Sequence, residues 1–318
     1  MNDINRSVSV VIPIYNGQNY IAKCINGIQR NISNTDEVLI IDDGSTDSGM
    51  KKLSKIIKND PRFRVIKNPQ KGIVSALNLG LREAANNWIA RFDVDDEYER
   101  TRLFEQRALI SEGISAIFCD YIFITKENRN LGTMPSAITP SAVPVSLYST
   151  QRTPHPGVIF NKNACIDVGG YREQDTFAED LSLWLRMTRT GSLISVPKPL
   201  LKYRISSDSS MGKNRKIAIS KSNELLKNIG LDIKTFDNCI QDISSTFEIY
   251  DQNCLSPERK ALLIRDLYFH QRINGESTFT NSIIFKELSK LAIKPENYLG
   301  ILRITRDYFA RREFRFSQ

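Results

Sequence analysis

The chain has 318 residues, of which 41% are hydrophobic and 25% are charged. This length and composition favour one large globular domain, or one domain with a smaller helical appendage, and no internal repeat or low-complexity tract interrupts the pattern. The formal net charge of +8 suits an anionic partner, which is a nucleic acid, an anionic membrane surface or a phosphorylated substrate. Charge alone does not choose among these three.

Membrane-spanning, secreted and disulfide-rich proteins are disfavoured. The most apolar stretches, such as 8–14 and 114–124, are shorter than the roughly 18 to 20 residues that a bilayer-spanning helix needs. The N-terminus lacks the basic start and apolar centre of a secretory signal, so we expect a cytoplasmic protein. The five cysteines form no CxxC pair, which favours reduced, buried thiols over disulfides or a zinc site.

The first hundred residues predict alternating strands and helices. Apolar periodicity predicts strands over 7–14, 38–41, 63–67 and 88–92, with helices over 20–28, 49–58 and 73–85 between them. Such alternation is typical of an α/β fold with a mostly parallel sheet and helices on both faces. Ligands of such folds bind at the carboxyl ends of the strands.

The rest of the chain predicts a second half and a helical end. A helix is expected over 102–112 and a strand over 116–124, and the polar, proline-rich stretch 128–153 is interpreted as acceptor-binding loops. We therefore divide the chain into one domain over 1–212, with a nucleotide-binding half (1–100) and an acceptor-binding half (101–212). Residues 213–318 form the predicted helical C-terminal region.

An acidic cluster follows the strand that ends near residue 92. Asp93 and Asp95 share one face if the chain stays extended, and Asp96 comes next. Carboxylate oxygens prefer Mg²⁺ or Mn²⁺ to zinc, and such a cation offsets the charge that develops as a nucleoside diphosphate departs. The alternative is a solvated acidic loop before a helix, but the position at a strand end favours the cation site.

Several stretches together resemble the family 2 glycosyltransferases, which have the GT-A fold. Asp42-Asp43-Gly44-Ser45 alone would be an ordinary turn with a helix cap. The stretches that match in family order are VSVVIPIYNG (8–17), VLIIDDGSTD (38–47), GIVSALNLGLREA (72–84), WIARFDVDDEYERTRLFEQ (88–106), HPGVIFNKNACIDVGGYRE (155–173) and AEDLSLWLRM (178–187). The resemblance covers roughly residues 7 to 205.

The resemblance implies a UDP-sugar donor. By it, Pro13 and Tyr15 wall the nucleobase and Asp43 accepts a hydrogen bond from the uracil ring, while Asn78 and Arg91 are donor-site neighbours.

The resemblance also implies a role for each of the three clustered aspartates. Asp93 approaches the ribose or sugar, Asp95 is the main ligand of Mn²⁺ or Mg²⁺, and Asp96 assists the donor sugar or the loop geometry.

Asp180 stands where this family keeps its catalytic base. The alternative is an ordinary acidic residue at a helix N-terminus, an environment that would in either case keep the carboxylate ionised. One base and a cation-stabilised diphosphate suit a single in-line displacement, so we expect inversion from an α-linked donor to a β-linked product.

Four further residues are candidate acceptor or diphosphate contacts: His155, Glu179, Trp184 and Arg204. A lone histidine is equally a structural residue, and Trp184 fits a helix packed against the sheet better than a sugar contact. Many relatives have a histidine shortly after the position of Arg204, whereas this chain continues with Ile205 and serines, which leaves the third metal ligand open. The basic segment 209–216 either closes over the diphosphate or is a linker.

The acceptor is inferred from the tail and a finer resemblance. Residues 299–318 mix aliphatic and aromatic side chains with arginines, which suits either an anionic membrane surface or a packed helix. The detailed motifs resemble bacterial enzymes of O-antigen or capsule repeat-unit assembly. We therefore expect transfer of glucose or galactose to an N-acetylhexosamine on diphospho-undecaprenol, plausibly through a β1,3 bond, by a protein peripheral to the cytoplasmic face of the inner membrane.

Two competing functions are disfavoured. A nucleotidyltransferase should carry a glycine-rich, basic triphosphate loop after its first strand, and none follows residues 8–14. A nucleic-acid-binding protein should show a helix-turn-helix or zinc pattern, and an aspartate cluster would repel phosphate unless a metal were bound. We expect no nucleic-acid partner.

Overall fold

A nine-stranded mixed sheet forms the centre of the computed structural model. The structure describes residues 6–136, 143, 147, 153–205 and 213–228, all of which belong to one compact unit. The segment 206–212, the tail 299–318 and most of the predicted C-terminal helical region lie outside the described residues. Within the described ranges, no helix is both long and apolar enough to cross a bilayer.

The strands fall into a parallel half and a mixed half. They are β1 (Val8–Ile14), β2 (Glu37–Asp42), β3 (Phe63–Lys67), β4 (Trp88–Arg91), β5 (Glu97–Tyr98), β6 (Ile114–Ile124), β7 (Asn130–Met134), β8 (Ile159–Asn161) and β9 (Ser192–Arg204). Their order is β3-β2-β1-β4-β8-β6-β9-β5, with β7 beside β6. The first four strands in this order are parallel, whereas β8 runs antiparallel to both β4 and β6 and joins the halves.

Helices cover the sheet on both faces. They are α1 (Ile21–Gln29), α2 (Gly49–Ile57), α3 (Ile73–Glu83), α4 (Arg102–Arg107), α5 (Lys162–Asp167), α6 (Glu179–Met187) and α7 (Arg215–Asn228), with short 3-10 helices at His155–Gly157 and Glu173–Asp175. Side chains of β1 alternate between the layers. Val10 and Ile12 pack in one core cluster with Ile25 of α1, whereas Val11 faces α3.

The predicted elements of residues 7–92 are present, each within two residues of its predicted ends. The predicted helix over 102–112 is wrong in length, because α4 ends at Arg107 and turns follow it. Four strands had not been predicted, and one of them, β7, lies in the stretch 128–153 that was interpreted as acceptor-binding loops. β5 and β8 have only two and three residues, which is too short for a periodic pattern. β9 contains Pro197 and Pro199, and prolines within a run argue against a strand. The pairing of β9 with β6 shifts register beside these prolines.

The three cysteines in the described residues, Cys24, Cys119 and Cys165, are free and buried. Reduced thiols were predicted for all five cysteines, and Cys239 and Cys254 lie outside the described residues.

Gly80 sets the distance between α3 and the sheet. A Cβ atom at this position would lie 2.4 Å from Cγ1 of Val11 in the fully covered strand β1. Only glycine therefore permits this close approach of α3 to β1.

We expect Gly80→Ala to lower the free energy of unfolding by about 1–3 kcal/mol, because the added methyl group overpacks the α3–β1 contact. Gly27→Ala in α1 is the matched control, since a Cβ atom there meets nothing within 4 Å. That control should stabilise the protein by roughly 0.5–1 kcal/mol through helix propensity. Urea denaturation measures both changes, and equal effects at the two positions would contradict the close-packing argument.

Candidate active site

Two strand ends are tied together where β1 and β2 leave the sheet. Asn16 follows β1 in a left-handed conformation with φ of 54°, which asparagine tolerates better than most residues. Its backbone N–H donates to Oγ of Ser45 at 3.1 Å, and its Oδ1 accepts from the backbone N–H of Thr46 at 2.8 Å. The backbone N–H of Asp43 donates to the carbonyl of Ile14 at 2.8 Å. These bonds give a cross-linked rim at the carboxyl edge.

The Asp43 carboxylate is fixed by residues near the start of α3. Its Oδ1 accepts from Nδ2 of Asn68 at 2.7 Å, and both carboxylate oxygens accept from the backbone N–H of Gly72, at 3.0 and 3.1 Å. Asn68 is held in turn by the hydroxyl of Ser75 at 3.0 Å. The sequence identified Asp43 but missed Asn68 and Gly72, which orient it.

The other predicted donor-site residues occupy different environments. Pro13 is buried within β1 opposite Ile41, whereas the Tyr15 side chain is 59% exposed at the rim. Asn78 of α3 donates from Nδ2 to the carbonyl of Tyr171 at 2.8 Å and accepts from the backbone N–H of Tyr171 at 3.1 Å. Asn78 therefore fixes the chain after α5, and its contact with a donor stays a prediction.

Three carboxylates meet directly after β4. One ligand atom from each of Asp93, Asp95 and Asp96 lies within 4.8 Å of the others. The buried Arg91 pairs through Nη1 with Oδ1 of Asp93 at 2.7 Å. The Tyr98 hydroxyl accepts from the backbone N–H of Asp93 at 2.6 Å and donates to its carbonyl at 3.1 Å. The turn that presents the carboxylates is therefore held at its first residue.

The electrostatics of this cluster fit a divalent cation. Burial, together with Asp93, raises the pKa of Asp95 to about 6, and burial with the other two carboxylates raises the pKa of Asp96. Oδ2 of Asp96 is buried and has no hydrogen-bond partner, although Oδ1 accepts from the backbone N–H of Arg204 at 2.7 Å. Crowded oxygen ligands with one orphaned buried atom match the preference of Mg²⁺ and Mn²⁺.

Arg204 locks the acidic turn in place. Its Nε donates to the Asp95 carbonyl at 2.7 Å. Its other donors contact the carbonyls of Thr125 and Lys126, the carboxylate of Glu97 and the amide oxygen of Asn128, at 2.7 to 3.0 Å. A guanidinium has five N–H bonds, and all five are used here. The predicted diphosphate contact of Arg204 is therefore corrected to a structural one.

Glu179 and Asp180 form the first turn of α6. Oδ1 of Asp180 accepts from the backbone N–H of Leu181 at 2.7 Å. Burial raises the pKa of Asp180, while backbone N–H groups and Arg91 lower it. Burial and the Asp180 charge raise the pKa of Glu179 to about 7, and Oε2 of Glu179 is buried without a hydrogen-bond partner. Phe177 precedes the pair with φ of 75°, a strained conformation of the kind found at functional sites.

Arg91 links the two acidic groups electrostatically. It pairs with Asp93 directly, and its charge lowers the pKa values of Glu179 and Asp180. Asp93 in turn raises the pKa of Asp180. The structure therefore brings the candidate cation ligands and the candidate base close enough to interact, although they are far apart in sequence.

Trp184 and His155 belong to the packed interior. Trp184 is 0% exposed, and its ring packs edge-on against Phe118, with ring centroids 5.3 Å apart, and contacts His155. Nε2 of His155 lies 2.9 Å from the Tyr171 hydroxyl, and burial, followed by Arg91, lowers the pKa of His155. Trp184 is therefore packed in the core, which is the alternative that the sequence favoured, and the contacts of His155 agree with its structural alternative.

Sequence reasoning missed two tyrosines of the site, Tyr98 and Tyr203. Tyr98 lies in the two-residue strand β5, which gives no periodic signal. Tyr203 precedes Arg204 in β9, and the strand pattern there is broken by prolines. The sequence feature that could have identified Tyr203 is the Tyr203-Arg204 pair near the end of the predicted acceptor-binding half.

Relatives with the same core are bacterial. An uncharacterized glycosyltransferase of Rickettsia felis is 30% identical over 206 residues, covering 63% of this chain and 33% of that protein, so this chain spans about a third of its length. An uncharacterized glycosyltransferase of Haemophilus influenzae is 26% identical over 80% of this chain and 84% of its own. The amylovoran biosynthesis glycosyltransferase AmsE of Erwinia amylovora is 26% identical over 63% of this chain and 77% of its own.

Solved glycosyltransferase structures share the fold. Residues 1–349 of TarS from S. aureus, in complex with UDP-GlcNAc, superpose with a TM-score of 0.59 at 19% identity, covering 83% of this chain and 81% of that one. The mannosyltransferase PcManGT from Pyrobaculum calidifontis, in complex with GDP-Man and Mn²⁺, superposes with a TM-score of 0.57 at 14% identity, covering 92% and 82%. These likenesses confirm the predicted GT-A fold.

The family model for glycosyl transferase family 2 matches residues 9–172, which is 164 of the 318 residues. The matched range contains the cross-linked rim, Asp43 and the three clustered aspartates, and it ends before Asp180. The chain therefore belongs to glycosyl transferase family 2.

Proposed function

We propose that this chain is a cation-dependent, inverting hexosyltransferase. In this proposal it moves glucose or galactose from a UDP-sugar to an N-acetylhexosamine on diphospho-undecaprenol and forms a β-linkage, plausibly β1,3, in O-antigen or capsule repeat-unit assembly. The observation that carries the proposal is the electrostatic link through Arg91. Its guanidinium pairs with Asp93 of the acidic cluster, and its charge lowers the pKa of Asp180.

The donor half suits a uridine nucleotide. Asp43 keeps lone pairs free beyond its bonds to Asn68 and Gly72, and its fixed carboxylate accepts the uracil N–H in our proposal. Tyr15 is exposed at the same rim and packs against the base. The TarS complex with UDP-GlcNAc supports a nucleotide-sugar donor, although PcManGT holds GDP-Man. The preference for uracil therefore rests on Asp43.

The clustered aspartates hold Mn²⁺ or Mg²⁺ in this proposal. Asp95 is the main ligand, Asp93 approaches the ribose or the sugar, and Asp96, whose buried Oδ2 has no hydrogen-bond partner, assists the donor sugar or the loop geometry. When bound, the cation neutralises the charge that develops on the departing diphosphate. The protein's own part is to hold the turn rigid through Tyr98 and Arg204.

Asp180 acts as the general base. The oxygen of the acceptor hydroxyl bonds to the anomeric carbon from the face opposite the diphosphate, the bond from that carbon to the diphosphate oxygen breaks, and the hydroxyl proton moves to Asp180. The Leu181 N–H and Arg91 favour the ionised carboxylate that this step requires, against the opposing effect of burial. One displacement inverts the configuration at the anomeric carbon.

The acceptor and the membrane association are the least constrained parts of the proposal. AmsE, a relative in amylovoran biosynthesis, supports a role in bacterial polysaccharide assembly. A lipid-diphosphate acceptor would place the protein at the cytoplasmic face of the inner membrane, where the arginine-rich tail 299–318 binds anionic lipid. That tail and residues 209–212 of the basic segment 209–216 lie outside the described residues, whereas the basic part of the segment leads into α7.

The proposed reaction is tested by UDP release. The full chain is incubated with a panel of UDP-sugars and an N-acetylhexosamine-diphosphate-lipid analogue, with and without Mn²⁺. We expect acceptor-dependent, Mn²⁺-dependent turnover that Asp95→Ala abolishes and that Asp180→Asn lowers by about 10²- to 10⁴-fold. Asp167→Asn, which changes an exposed carboxylate at the end of α5, is the matched control and should leave turnover unchanged. Full turnover in both site variants would refute the assignment of base and cation ligands.

The charge pair on α6 generates a pH-dependent stability. The folded-state pKa of Glu179 is about 7 against an ordinary value of 4.5, so between these values the folded state binds a proton that the unfolded state has released. The wild type therefore loses stability as pH rises through this window. Because glutamine cannot ionise, Glu179→Gln avoids that loss.

We expect the Tm difference between Glu179→Gln and the wild type to become more positive from pH 5 to pH 8. Thermal denaturation at both pH values measures it. Glu173→Gln, at an exposed position before α6, is the control and should show the same difference at both pH values. A Glu179→Gln difference that does not change with pH would contradict the charge coupling.

A further inference from the structure

The Tyr203 ring is held rigidly on β9. Tyr203 pairs with Phe123 of β6 in the parallel register, so both side chains share one face of the sheet. Its ring meets those of Phe123 and Tyr121 edge-on, with centroids 5.9 and 6.1 Å apart. The next residue, Arg204, donates its backbone N–H to Asp96, which fixes this end of β9 beside the acidic turn.

The Tyr203 hydroxyl, unlike the hydroxyls of Tyr98 and Tyr171, has no hydrogen-bond partner among the described residues. The hydroxyl of Tyr98 is bonded to the backbone of Asp93, and that of Tyr171 is bonded to His155. The hydroxyl of the half-buried Tyr203 makes no hydrogen bond to any residue that the structure describes, and its oxygen is not one of the fully enclosed, unpartnered atoms. A phenol that is rigidly placed, accessible and unpaired is suited to a ligand.

This hydroxyl lies in the combined field of both acidic groups. Burial is the main cause that raises the pKa of Tyr203, and the carboxylates of Asp96, Asp93, Asp180 and Asp95 raise it further. It is therefore a neutral hydrogen-bond donor, and it belongs to a residue whose neighbour in the chain, Arg204, bonds to both Asp95 and Asp96. In the proposed reaction the transferred sugar occupies this region, because its anomeric carbon lies between the diphosphate and the acceptor hydroxyl.

We propose that the Tyr203 hydroxyl hydrogen-bonds to the hexose of the donor and that Tyr203 is a specificity-determining residue for that sugar. This inference rests on the proposed function, since it assumes a nucleotide-sugar donor whose diphosphate lies at the clustered aspartates. The recognised chemistry is a ring hydroxyl of the transferred hexose. A site built to bond one hydroxyl discriminates against epimers that present it elsewhere, because its own polar group is then left unpaired.

Tyr203→Phe removes the hydroxyl and keeps the ring contacts with Tyr121 and Phe123, so the fold should be retained. Calorimetry in Mn²⁺ then gives Kd for UDP, UDP-glucose, UDP-galactose, UDP-GlcNAc and UDP-GalNAc, with the wild type and the variant as full chains. We expect an unchanged Kd for UDP, which has no sugar. The Kd of the preferred UDP-hexose should rise roughly 3- to 10-fold, and the preference among the four sugars should narrow.

Tyr98→Phe is the matched comparison, because its hydroxyl supports the Asp93 backbone instead of facing a ligand. That variant should weaken UDP and UDP-sugars alike. The inference would be overturned, and the proposed function would stand, if Tyr203→Phe weakened the binding of UDP and of the UDP-sugars by the same factor. The same conclusion would follow if Tyr203→Phe bound the UDP-sugars with the affinity and the preference of the wild type. If the wild type bound none of the five compounds, the proposed function would fall and this inference with it.

Discussion

The crowding of three carboxylates at the end of β4 is the constraint on which the site depends. Like charges in a partly buried turn repel, and burial together with this repulsion raises the pKa values of Asp95 and Asp96. Two arginines oppose it by different means. Arg91 pairs with Asp93, whereas Arg204 lowers the pKa of Asp95 through its charge and fixes the backbone of the turn through the bond from its Nε to the Asp95 carbonyl. The turn thus keeps its shape although its three carboxylates are crowded.

The mixed half of the sheet brings Arg204 to the acidic turn. The strand β5 leaves the acidic turn and pairs antiparallel with β9, with Glu97 opposite Lys202. That pairing brings the end of β9 beside Asp96, so Arg204 and Tyr203 both reach the turn from a strand about a hundred residues later in the chain. The mixed half of the sheet therefore completes a site that the parallel half begins.

The two halves of the sheet also differ in how well the sequence predicts them. The parallel half was predictable because its strands are continuous β-branched runs and its ligand residues follow them directly, as Asp43 follows β2 and Asp93 follows β4. In the mixed half only β6 was predicted, because β5 and β8 are too short for a period and β9 contains two prolines. The role of Arg204 was not predicted for a related reason. It depends on contacts with residues distant in sequence, which a local pattern does not reveal.

The two halves consequently carry different parts of the proposed chemistry. Nucleotide and diphosphate binding rest on backbone-anchored groups such as Asp43, whose bonds come from glycine and asparagine at strand ends. Sugar recognition and proton transfer rest on single side chains, Tyr203 and Asp180, presented by a strand and a helix of the other half. In this proposal, a substitution at Tyr203 changes which sugar is preferred and leaves the acidic turn that holds the diphosphate unchanged. For this reason, closely similar acidic turns are compatible with different transferred sugars, and the turn alone does not identify the donor.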